Sequence, residues 1–147
     1  MSSIQEQIQA DLKQALKEKR TEERNVLRSV MSEFKNAQLE KDTFSDEDAI
    51  SVLTKLVKQR KQSAGEYREA ERTDLAEKEE YEIGIIERYL PEAMSEEEVE
   101  QEVNAVMNEL GEEADLGTVM KHVMPRVKGK ADGSVVQQKV REKLGMA

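Results

Sequence analysis

Four cations crowd into ten residues near the end of this chain: Lys121, Arg126, Lys128 and Lys130, with Gly129 between the last two. Lys139 follows. Lysine offers a compact charge and arginine a bidentate fork, so side chains of these types grouped on a loop can hold phosphate. Gly129 lets the backbone turn, or lets another backbone approach closely. Gly117 is expected to permit tight helix packing, and Gly133 to shape the loop together with Gly129. Asp132 reads as an N-cap for the last helix, whose free amide groups could also meet a phosphate. The plainer reading is a solvated basic loop that balances an acidic helix before it, since exposed ion pairs contribute only ~0–1 kcal/mol.

Other chemistry finds little support. His122 is the single histidine, set between Lys121 and Val123. A Ser/His/Asp triad would have to use it, and a surface or half-buried histidine is the simpler expectation. No histidine pair exists for a metal site, and no cysteine exists for a thiolate nucleophile, a disulfide or a zinc site. Neither a metal nor a cofactor is expected. Gly129-Lys130-Ala131-Asp132-Gly133 lacks the spacing of a phosphate-binding Walker loop. With 32 acids in the chain, carboxylate pairs arise by chance. Glu96, Glu97 and Glu98 are explained by the favourable field at a helix N-terminus.

The elements that must position these residues read as helices throughout. Ile4, Ile8, Leu12 and Ala15/Leu16 predict a helix over 3–18, and Val26, Leu27, Val30, Met31 and Phe34 a second over 21–41. Ser45-Asp46-Glu47-Asp48 marks the start of a third, continuing past Tyr67 despite Gly65. Thr73 starts a fourth, which Pro91 ends. Residues 91–114 then hold nine acids and no base. Ser95-Glu96-Glu97-Glu98 is a capping box, Val99, Val103, Val106/Met107 and Leu110 the buried stripe, and Gly111 a C′ residue. A short helix over 115–124 is closed by Pro125, and a last helix spans 133–144. The expectation is an all-α chain: an N-terminal four-helix bundle-like domain over 1–91 and a small C-terminal three-helix domain over 92–147. All these apolar stripes read first as core.

Charge is distributed unevenly along this framework. The net charge is -9, yet residues 115–147 carry seven bases and three acids, a local +4. A second basic stripe, Arg20, Arg24, Arg28 and Lys35, lies on one side of the second helix. Glu22, Glu23 and Glu33 interleave with it in sequence, and long basic side chains often cover the edge of a core. The aromatics, Phe34, Phe44, Tyr67, Tyr81 and Tyr89, all precede residue 91. The basic tail therefore has no stacking platform for single strands, and a folded RNA read by shape and phosphates suits it better. No apolar run approaches the ~20 residues that span a bilayer, so no membrane association is expected. The absence of cysteine and of a signal-peptide pattern leads to a cytoplasmic expectation.

The chain resembles the YqeY family. The resemblance rests on Leu27-Arg28-Ser29-Val30, Phe34-Lys35-Asn36-Ala37, Tyr89-Leu90-Pro91, Gly117-Thr118-Val119-Met120-Lys121 and Lys128-Gly129-Lys130-Ala131-Asp132-Gly133. Members are similar to the C-terminal tail domain of the tRNA-dependent Asp/Glu amidotransferase (the GatB/YqeY group). The resemblance implies an all-helical fold in two parts and a non-catalytic role: binding tRNA, or a tRNA-processing enzyme, while other parts perform the chemistry. Lys121, Arg126, Lys128, Lys130 and Lys139 would then contact phosphates. Two alternatives stay open. One is a protein-interaction adaptor or homodimer using the long helical pair over 45–90. The other is an accessory component with carbon–nitrogen ligase activity using glutamine as amido donor, although the residues do not assemble that reaction on their own.

Overall fold

The computed structural model describes residues 3–146, and these contain seven helices and no strand. The helices fall into two compact units, the first ending at Leu90 and the second beginning at Pro91.

The first unit holds α1 (Ile4–Lys17), α2 (Thr21–Gln38), α3 (Asp46–Glu69) and α4 (Thr73–Glu87). Serines set two of the starts. Ser3 Oγ accepts from the Glu6 amide at 3.1 Å. Ser45 and Asp48 form a reciprocal capping box, satisfying two amides that the helix itself cannot. Lys41 also pairs with Asp48. α1 packs on α2, and α3 on α4. The turns joining these pairs end α1 and α3 in the same way. Lys19 and Glu71 adopt left-handed backbone, φ 59 and φ 60. The Arg20 amide reaches the Ala15 carbonyl at 2.9 Å, and the Arg72 amide reaches that of Tyr67 at 2.8 Å. These six-to-one bonds define Schellman motifs, which usually place glycine at the left-handed position.

The first core is aliphatic with one large ring: Ile8, Leu27, Val30, Phe34, Leu53, Ile85 and Ile86 are fully buried. α4 packs against both α2 and α3, so Ile83, Ile85 and Ile86 are all covered although they do not share one face. Tyr89 closes this core and donates its hydroxyl to Asp11 of α1. Burial, and then the Asp11 carboxylate, push the phenol well above its usual range. Glu23 is the one buried charged residue among those described, and Arg20 (2.8 Å) and Arg88 (2.7 Å) both reach its carboxylate.

The second unit holds α5 (Glu96–Leu110), α6 (Leu116–Val127) and α7 (Gly133–Lys143), each in contact with the other two. Its fully buried cluster is made of valines alone: Val99, Val103, Val106, Val119, Val123, Val127, Val136 and Val140. Capping is as regular as in the first unit. Ser95 and Glu98 form the expected box, Asp115 accepts from the Thr118 amide at 2.8 Å, and Asp132 from that of Ser134 at 2.9 Å. Gly111 ends α5 at φ 85.

Pro125 does not close α6, contrary to the sequence expectation; it lies inside a helix that runs to Val127. Proline removes one intrahelical hydrogen bond and crowds the preceding turn, a cost of roughly 3 kcal/mol. One more turn places Val127 in the core with no exposed area, on the stripe begun by Val119 and Val123. Burying such a side chain contributes roughly 1.5–3 kcal/mol, enough to offset most of that cost.

Candidate phosphate-binding surface

The loop between α6 and α7 is short and fastened at both ends. Lys128 caps α6 at φ -56 and ψ 126, outside the helical range, and Gly129 turns the chain at φ 78, where glycine adopts positive φ without strain. The Lys130 and Ala131 amides then bond back to the Val127 carbonyl at 2.8 and 3.1 Å. The Lys130 carbonyl in turn accepts from the Met94 amide at 2.8 Å. The backbone is thus tied to α6 on one side and to the segment entering α5 on the other.

The five cations picked from the sequence divide into two sets. Arg126 turns toward α5. Its guanidinium binds both oxygens of Glu109 at 2.9 and 3.0 Å, with Glu102 at 3.6 Å. Glu109 foremost, with Glu102, holds that guanidinium more firmly protonated than usual. Lys139 sits 3.8 Å from Glu96. Lys143, not among the five, pairs with Glu100 at 2.8 Å and lowers the pKa of its carboxyl. The balancing of the acidic helix is therefore carried by Arg126, Lys139 and Lys143. Lys121, Lys128 and Lys130 are exposed and make no side-chain hydrogen bond or ion pair with any described residue. Lys121 and Lys128 stand seven positions apart, about two helical turns, and so project to one side of α6.

The glycines also divide. Gly129 is required by its positive φ. Gly133 opens α7, where an added Cβ would stand 3.6 Å from Met124 Cε, an ordinary contact. The tight packing expected at Gly117 is not found: a Cβ there would meet only Asp115 Oδ1, at 3.8 Å, because this turn of α6 faces outward.

His122 is exposed on α6, with Nδ1 2.9 Å from the Thr118 carbonyl of its own helix. No group of three or more His, Asp or Glu side chains that could hold a metal occurs among the described residues. No described helix is long and apolar enough to cross a membrane. A shallow groove lies in the first unit between α3 and α4, lined by Lys61, Ala64, Gly65, Arg68, Glu80 and Ile83. Arg68 and Glu80 bridge it at 2.6 Å, and its floor is aliphatic.

What the geometry defines is an all-helical protein with a pinned, lysine-bearing loop. The chain belongs to the YqeY family: the family model described as Yqey-like protein matches residues 5–144. Among curated relatives, one from Pyrenophora tritici-repentis is 33% identical over 143 residues, which is 94% of this chain and 79% of the relative. One from Meyerozyma guilliermondii is 41% identical over 83 residues, covering 56% of this chain and 44% of the relative. One from Vanderwaltozyma polyspora is 37% identical over 125 residues, covering 82% and 66%. The matched region thus spans from under half to about four-fifths of these relatives. All three are named altered inheritance of mitochondria protein 41, mitochondrial.

Those names overturn the cytoplasmic expectation. Cysteine content and a signal-peptide pattern bear on disulfides and secretion. Mitochondrial import is read from amphipathic, arginine- and serine-rich, acid-poor segments, a different signal.

Proposed function

We propose that this protein is a non-catalytic module that docks a folded RNA of the tRNA class through the α6–α7 loop. Lys121, Lys128 and Lys130 meet the phosphates, and the pinned backbone around Gly129 fixes their spacing. The observation that carries this reading is the sorting of the cations. The second unit is rich in acid, yet these three lysines are held by none of it, while Arg126 two residues away is held by two carboxylates. A loop whose backbone is already ordered loses little further entropy on binding. Membership of the YqeY family adds support, through the likeness of that family to a tRNA-holding tail domain. Chemistry on the RNA, including any amide transfer from glutamine, would belong to a partner enzyme.

Filter binding of the full chain to bulk tRNA tests the reading. Affinity is expected to fall with salt, with a log–log slope of about -0.7 to -0.9 for each phosphate contacted. Charge reversal at Lys128→Glu with Lys130→Glu should reduce both the affinity and the slope. Absence of binding at ~50 mM salt, or an affinity untouched by the double reversal, would remove this function.

A further inference from the structure

In sequence the acids and bases of α2 interleave, but the helix separates them. At about 100° per residue, Arg24, Arg28 and Lys35 fall within roughly 40° of one another, while Glu22 and Glu33 lie about 120–180° away. Exposed Asn25, Ser29, Ser32 and Asn36 fill the arc between the two edges. The remaining acid of this helix, Glu23, is buried and already taken by Arg20 and Arg88. Arg20 is further engaged by Glu18 at 2.9 Å, which removes it from the stripe. Arg28 and Lys35 are exposed and have no side-chain hydrogen-bond or ion-pair partner among the described residues. Arg24 touches only the neutral Asn25 side chain, at 3.3 and 3.4 Å.

We infer that this edge of α2 is a second contact for the phosphate backbone of the same folded RNA. The inference rests on the RNA-docking reading above for its ligand class. Three cations with no acid among them, spread over about 16 Å of helix axis, match a line of charge better than a single anion. Small hydroxyl and amide side chains beside them supply further donors to phosphate and sugar oxygens. A lipid surface fits less well. An interfacial helix needs its apolar face free to enter the bilayer, and Val26, Leu27, Val30 and Phe34 of α2 are buried in the core.

The experiment uses the full chain, bulk tRNA and filter binding across a salt series. Arg28→Gln with Lys35→Gln should weaken binding and cut the magnitude of the log–log slope by about 1.4–1.8, two phosphate contacts' worth. Lys128→Gln with Lys130→Gln should do the same independently. Glu22→Gln with Glu33→Gln, on the far edge, should leave the slope unchanged, and a fall in slope there would overturn a localised track. Glutamine is a good helix former and every mutated position is surface-lying; circular dichroism of each variant confirms that helicity is retained. A wild-type slope in the α2 variant, with loss only in the loop variant, would overturn this inference and spare the loop. Loss only in the α2 variant would spare the track and remove the loop. No binding by the wild-type chain at ~50 mM salt would remove both. Retention on phosphatidylserine vesicles that the α2 variant abolishes, with tRNA binding unaltered, would reassign the surface to membrane.

Discussion

Arg126 and Lys128 stand two residues apart and face different tasks. The arginine spends its fork on Glu109 and Glu102 of a neighbouring helix, and the lysine spends its charge on solvent. Their substitutions should therefore separate. Arg126→Gln is expected to lower the midpoint of thermal unfolding while leaving tRNA affinity within about twofold. Lys128→Gln is expected to leave the midpoint alone and weaken tRNA binding. The pair is read out by a melting curve and a filter-binding isotherm on each variant. Asp48 gives a pH-dependent case. The Lys41 ammonium first, then the Ser45 amide, lower its pKa from 3.8 to about 2. A carboxyl whose folded pKa is depressed adds stability that is fully present above its unfolded pKa and disappears as pH falls through the folded one. Asp48→Asn should thus be less stable than the parent near neutral pH. The gap should close between pH 4 and pH 2, as followed by urea unfolding at several pH values. A constant gap would mean that the Asp48 charge does not contribute.

At the scale of elements, two helix ends run against local preference. Lys19 and Glu71 hold left-handed backbone at the C′ positions of α1 and α3. A residue with a Cβ is disfavoured there by about 1–2 kcal/mol, and glycine returns part of that gain through its larger unfolded-state entropy. Glu71→Gly is therefore expected to stabilise the protein by about 0.5–1 kcal/mol in chemical denaturation. The left-handed turns at these ends were not legible beforehand, because no glycine marks them, whereas Gly111 marked the end of α5. The starts were legible. Ser45 with Asp48 and Ser95 with Glu98 are patterns whose hydrogen bonds close within four residues, so sequence and structure carry the same information. Pro125 shows where local reasoning fails: the penalty is local, but the burial of Val127 that offsets it belongs to the packed unit.

At the scale of the whole molecule, each unit carries its own core, and the two differ in kind. The first contains Phe34 and isoleucines, while the fully buried residues of the second are all valines. Partly buried Met107, Met120 and Met124 pack against that valine cluster and can shift to fill part of a gap, so a truncation in the second core should be relieved only in part. Val123→Ala, at a position with no exposed area, is expected to cost about 2–3 kcal/mol in unfolding free energy, two methylenes plus the void they leave. Hydrogen exchange on this variant should show the loss at the α5, α6 and α7 amides. The charge pattern belongs to the same scale. A chain of net -9 binds polyanions only if its free cations are gathered and its acids are occupied or turned away.

Helix identity, the helix starts and the stripes that became the core were determined by the sequence alone, because helical periodicity and capping act over a few residues. The acidic stretch and the basic tail were equally plain as composition. Which cations neutralise α5 and which remain free was decided only by tertiary structure. Glu102 and Glu109 lie far from Arg126 in sequence and meet it only because α5 and α6 pack together. The basic side of α2 was legible from its spacing, because helical periodicity is local; that Arg20 leaves it for Glu18 and Glu23 was decided only when side chains from the turn and the helix met.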